Sequence, residues 1–105
     1  MKTVAQVMQK LPSKFQPDAA SGMSVVFQFL IDDSLYYCLN IEDQQCQVSQ
    51  QEHLDPDVTL IMDSQTFIDV IEGDLGGTSA FMSGRLRAEG NMMLATKLTS
   101  LFKRS

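Results

Sequence analysis

Two short apolar runs separated by a polar turn constrain this chain more than any other feature. Val25, Phe27, Phe29 and Ile31 take every second position of one apolar run, and Leu35, Tyr37, Leu39 and Ile41 do so in the next. A period of two puts each set on one side of an extended chain. The intervening Asp32-Asp33-Ser34 is turn-forming, so the two runs read as a hairpin. A lone hairpin is at best marginally stable in water, so the remaining residues must add strands and a cover. Three more strand candidates follow. Cys46 to Gln50 is short and polar and reads as an edge. Val58 to Met62 begins after the breaker Asp55-Pro56-Asp57, and in Arg85 to Glu89 the apolar Leu86 and Ala88 alternate with three charges.

Elsewhere the period is helical. Val4, Val7, Met8 and Leu11 share one face of a segment from Thr3 to Leu11, with Thr3 as N-cap and Pro12 as stop. Phe67, Ile68 and Ile71 share a face of a second helix that Ser64 caps and Gly73 ends. Gly76-Gly77 separates it from a short helical turn, Thr78 to Met82. Asn91 caps a last helix with the stripe Leu94, Ala95, Leu98, Leu101 and Phe102. Strands grouped early and helices late predict an α+β fold. With 105 residues, 1–105 reads as a single domain large enough for one core without disulfide staples.

Several function classes are disfavoured. Thirteen acids against eight bases give a net charge of −5, which opposes nucleic-acid binding. No apolar run reaches a membrane span, and Met1 to Gln9 lacks the apolar stretch of a signal peptide. Cys38 and Cys46 are the only thiols and read as reduced, and the expected home is the cytoplasm. A Ser-His-Asp triad would need His53, which sits in the acidic loop Gln51-Glu52-His53-Leu54-Asp55, and no G-x-S-x-G is present. Cys38, Cys46 and His53 lack zinc-motif spacing. Asp55, Asp57 and Asp63 are interrupted by Val58 and Leu60, where a calcium loop needs oxygen donors. The glycines form neither a dinucleotide nor a phosphate-loop pattern. The expectation is no catalytic residue, no metal and no cofactor.

Seven methionines stand out, with Met82, Met92 and Met93 within twelve positions. They read either as core filling or as an adaptable surface for variable apolar partners. Phe67, Phe81 and Phe102 belong to neighbouring helical segments, and periodicity does not tell a cavity from a solid core.

The run Ala80-Phe81-Met82-Ser83-Gly84-Arg85-Leu86-Arg87-Ala88-Glu89-Gly90-Asn91 resembles the signature of the sterol carrier protein type-2 family. Met92 to Leu98 looks like that family's last helix, and Asp57 to Gly73 is similar to its preceding strand and helix. The resemblance implies a mixed five-stranded sheet covered by helices, with a hydrophobic tunnel between the layers. It implies non-catalytic binding and transfer or presentation of a fatty acid, fatty acyl-CoA, phospholipid, isoprenoid or sterol. Carried over residue by residue, Phe81, Met82, Met92, Met93, Leu94 and Leu98 become tunnel candidates. Phe67, Ile71, Leu101 and Phe102 join them on helical-face grounds. The chain departs from the family with Asp74 and Gly77, where a lysine and a proline are frequent, and with Ala88, where a larger apolar residue is common.

The rival reading is an accessory module that docks a partner enzyme, or a second copy in a homodimer, through its Met-rich helical surface. Charge adds one more expectation. Twelve of the thirteen acids lie between residues 15 and 84, where there is no Lys or Arg, so the bases sit at the two ends. Basic ends suit either a transient contact with an anionic membrane surface or pairing with the acidic middle.

Overall fold

The computed structural model describes residues 3–102, so Lys2, Lys103 and Arg104 of the basic ends lie outside the described residues. The hairpin forms as its alternation predicts: β1 (Val25–Ile31) pairs antiparallel with β2 (Leu35–Glu42), Phe29 opposite Tyr37. A two-residue turn at Asp43 and Gln44, both at positive φ, leads into β3 (Gln45–Ser49). The chain then crosses the outer face of the sheet as residues 50–57. There Cys38 Sγ donates to the Gln51 carbonyl at 3.2 Å, and the His53 N–H donates to Gln28 Oε1 at 2.6 Å. That crossing buries Cys38 and Gln28, which alternation alone assigns to the exposed face. β4 (Val58–Met62) lands on the far side of β1 and pairs with it in parallel, and β5 (Leu86–Gly90) adds antiparallel to β4. The order β3-β2-β1-β4-β5 is a mixed five-stranded sheet, and the fold is α+β as expected.

The helices supply the cover. α1 (Val4–Lys14) buries Val4, Val7, Met8 and Leu11, and Thr3 caps it through a reciprocal pair of bonds with Gln6. Pro12 does not stop it. Lying in the last turn, Pro12 gives up one hydrogen bond without breaking the earlier ladder, and the helix runs on to Lys14. α2 (Ser64–Glu72) starts one residue earlier than the capping prediction, with Asp63 rather than Ser64 as N-cap. Its carboxylate accepts from the Thr66 N–H at 2.7 Å, while Ser64 bonds back to Asp32 on the hairpin turn. Gly73 closes α2 at φ 88°. α3 (Gly77–Met82) and α4 (Met92–Lys97) follow, and Asn91 caps α4 as predicted.

The last helix is shorter than its stripe suggests. It tightens into a 3-10 turn at Leu98–Leu101, and Phe102 leaves in extended conformation to bridge Phe15. The core runs under the helices, with Phe27, Phe29, Leu39, Leu60, Phe67 and Leu101 almost completely inaccessible. Gly90 fixes the end of β5: at φ +104° its missing Cβ would stand 2.6 Å from the Asp57 carbonyl oxygen. No helix among the described residues is long and apolar enough to cross a membrane.

Candidate functional site

The two ends of the sheet are covered differently. α1 lies near α2 and the β3 edge and buries four side chains, whereas α4 near β4 and β5 buries none. Beneath α4 the sheet remains uncovered on its inner face, leaving a cavity of about 310 Å³. Its floor follows from register. Phe29 of β1 lies beside Leu60 of β4, which faces Ala88 of β5, and Met62 faces Leu86. One wall is α2, through Phe67, Val70 and Ile71, and the Phe67 ring meets Phe29 edge-on at 5.5 Å. The other is built by Met92, Ala95, Thr96 and Leu98. Gly76 to Ser79 and Phe81 complete the enclosure.

No charged side chain lines this space, and among the described residues no buried side-chain nitrogen or oxygen lacks a partner. The hydroxyl-bearing lining residues are Thr78, Ser79 and Thr96, and Thr96 already donates to the Met93 carbonyl at 2.8 Å. Apolar walls of this kind do not hold water well and favour an apolar occupant. Arg85 braces the wall from outside. Its Nε donates to Thr66 Oγ1 at 3.2 Å and its Nη2 lies 3.4 Å from Asp69 on α2. Hydrogen bonding to Thr66, through its backbone first, holds the Asp63 carboxyl below its ordinary range, with a smaller contribution from the Arg85 charge.

Five of the ten sequence candidates meet in the cavity: Phe67, Ile71, Phe81, Met92 and Leu98. Phe81 and Met92 sit at its mouth, 46% and 44% exposed. Met82 and Met93 point outward, 81% and 70% exposed, and Leu94 is half-buried against the core. Leu101 and Phe102 are buried elsewhere, the Phe102 ring lying 5.8 Å from that of Phe15 at a tilt of 53°. The sheet floor escaped the sequence reading: alternation marks Phe29, Leu60 and Met62 as inward, but only strand order shows which inward residues face a gap.

The residues considered for catalysis have structural occupations. His53 Nδ1 accepts from the Asp55 N–H at 3.0 Å, across the sheet from the cavity. Both cysteines are free thiols, and burial pushes Cys46 up to about 11. Among the described residues no cluster of His, Cys, Asp or Glu is arranged to hold a metal ion.

Comparison with known proteins accords with this geometry. The chain matches the SCP-2 sterol transfer family over residues 4–103. Peroxisomal multifunctional enzyme A of Dictyostelium discoideum is 44% identical over 50 residues, covering 48% of this chain and 11% of that protein. Hydroxysteroid dehydrogenase-like protein 2 of Bos taurus is 30% identical over 101 residues, covering 93% of this chain and 24% of that protein. The chain thus spans less than a quarter of either relative's length. The solution structure of palmitated SCP2L2 from Aedes aegypti superposes with a TM-score of 0.74 at 20% identity, covering 94% of this chain and 93% of that one. With its sequence matched from residue 4 to residue 103 and its fold shared, the chain belongs to the SCP-2 sterol transfer family, a family of lipid-binding and lipid-transfer domains.

Proposed function

We propose that the cavity binds the apolar part of a lipid and that the chain carries or presents that lipid without chemistry. The observation that supports this most directly is an uncharged space between sheet and helices, roofed by α4, a helix that buries nothing. Each methylene withdrawn from water contributes about 0.8 kcal/mol, so affinity grows with the buried length of the lipid. In this reading Phe67, Ile71 and Leu98 hold the chain against the floor, and Phe81 and Met92 form the entrance. Thr78, Ser79 and Thr96 offer hydroxyls to a polar end. A volume of about 310 Å³ is near the low end of ligand pockets, roughly 300–1,000 Å³. It suits a single acyl or isoprenoid chain better than a bulky two-chain lipid. Residues 1–105 would act as one such unit in the cytoplasm.

A second reading, presentation of the bound lipid to an enzyme, rests on the curated relatives. One of them is a multifunctional enzyme that matches this chain over only part of its length.

The test is native mass spectrometry of purified protein, followed by titration with a fluorescent fatty acid. Expected are a co-purifying lipid or saturable uptake, and loss of both in Met92→Asp, which sets a charge at the entrance. A folded Met92→Asp variant that binds the probe as wild type does would reject the cavity as the site.

A further inference from the structure

β5 ends the sheet, and among the described residues no strand lies beside its outer edge. Exposed edges invite pairing with another chain. The side chains of β5 that point away from the cavity are Arg87 and Glu89. Both are exposed, and among the described residues neither is in an ion pair within the chain. Opposite charges two residues apart are self-complementary when a strand meets its own copy antiparallel. Pairing centred on Ala88 sets Arg87 of each copy opposite Glu89 of the other, giving two cross-strand pairs about a two-fold axis.

The flanks of β5 fit the same arrangement. Met82 ends α3 four residues before β5, and Met92 and Met93 open α4 just after it. All three are exposed, with Met82 and Met93 the most so. Antiparallel pairing carries the start of one β5 alongside the end of the other, so Met82 of one copy approaches Met93 of its partner. Methionine is enriched at such interfaces, where it adapts to the opposing surface. The opposite edge of the sheet offers no comparable code. β3 exposes Gln45, Gln47 and Ser49, which are uncharged.

From this complementarity we infer that the β5 edge and its flanking methionines are the interface of a homodimer, in which two sheets join into one of ten strands. The inference is independent of what fills the cavity. Phe81 and Met92 border both the cavity and this surface, so pairing also brings the two cavity mouths toward one another.

Sedimentation velocity on the full chain over a concentration series tests it, with circular dichroism as the check on folding. Wild type is expected to dimerise reversibly. Arg87→Glu and Glu89→Arg each place like charges opposite one another, and each is expected to raise the dimer dissociation constant at least about tenfold. The double variant R87E/E89R exchanges the charges, keeps them complementary and should restore the dimer. Wild type that stays monomeric at every concentration overturns the inference, as do single variants that dimerise like wild type or a folded double variant that fails to recover. So does a monomer that instead sediments with phosphatidylcholine–phosphatidylserine vesicles, since the methionines would then serve a bilayer.

Discussion

Ala88 is the residue through which the cavity can be filled without touching its entrance. It stands half-buried on the floor, opposite Leu60 in register, at the position where the family resemblance implies a larger apolar side chain. Ala88→Leu projects three more carbons into the space beneath α4. Burying them contributes about 2.4 kcal/mol at about 0.8 kcal/mol per carbon, less roughly 0.5–1 kcal/mol of leucine rotamer entropy. Because the site is only half-buried, a net gain of about 1 kcal/mol is expected, which raises Tm by about 4–8 °C for a chain of this size. The same carbons displace about three methylenes of any occupant. That loss of about 2.4 kcal/mol weakens binding by about fiftyfold. Thermal unfolding of lipid-free protein and a fluorescent fatty-acid titration read the two effects separately. A higher Tm with unchanged affinity would show that the lipid does not lie on the β5 floor. A lower Tm with unchanged affinity would show that there is no usable space over Ala88, and the cavity argument would fail.

Three other expectations follow from local geometry. Asp63→Ala removes the N-cap of α2 and should cost about 0.5–2 kcal/mol in urea unfolding. Because the folded carboxyl titrates below its unfolded value of about 3.9, its contribution is complete above that pH and is lost as pH falls through the folded pKa, so wild type and variant should converge in stability in acid. Gly90→Ala sets a Cβ 2.6 Å from the Asp57 carbonyl at φ +104° and should destabilise by about 1–3 kcal/mol, whereas at Gly22, also at positive φ but with open space around it, the steric part of that loss is absent. With its thiol pushed up to about 11, Cys46 should react sluggishly with iodoacetamide at pH 8, and Cys38, buried beneath residues 50–57, should label only on unfolding.

The strands were legible because their signal is local. Val25–Ile31 and Val58–Met62 form with the limits that alternation and turn residues predict. Helix ends were less so, because capping is decided by geometry that competing residues share. Asp63 and Ser64 are both good caps, and it is Ser64's attachment to Asp32 on the hairpin turn that leaves the N-cap to Asp63. Pro12 misled because a proline in a final turn forfeits one bond, while the apolar face through Leu11 holds the helix to the core. The partial legibility of the site has the same origin. The lining of α2 and α4 follows a helical period, but the floor depends on β4 and β5 meeting in one register, information spread from Val58 to Gly90.

Why the chain leaves one end of its sheet hollow is answered by side-chain size, not by period. α1 presents Val4, Val7, Met8 and Leu11 to the core, branched or long residues that reach the neighbouring layer and close it. At corresponding spacing α4 presents Met92, Ala95 and Thr96, two of them short, above a β5 that offers Ala88. Gly76 and Gly77 add no side chain at the entrance to α3. A hydrophobic stripe of ordinary period therefore yields a solid core on one side of the molecule and a cavity on the other. Close packing is the default of protein interiors, and an unfilled apolar volume sacrifices stability that larger side chains would recover. Retaining Ala88 and Ala95 where leucine would pack makes physical sense if an occupant supplies the missing contacts. Stability should then rise with bound lipid as mass action requires, by about 2.7 kcal/mol at a hundredfold excess over Kd.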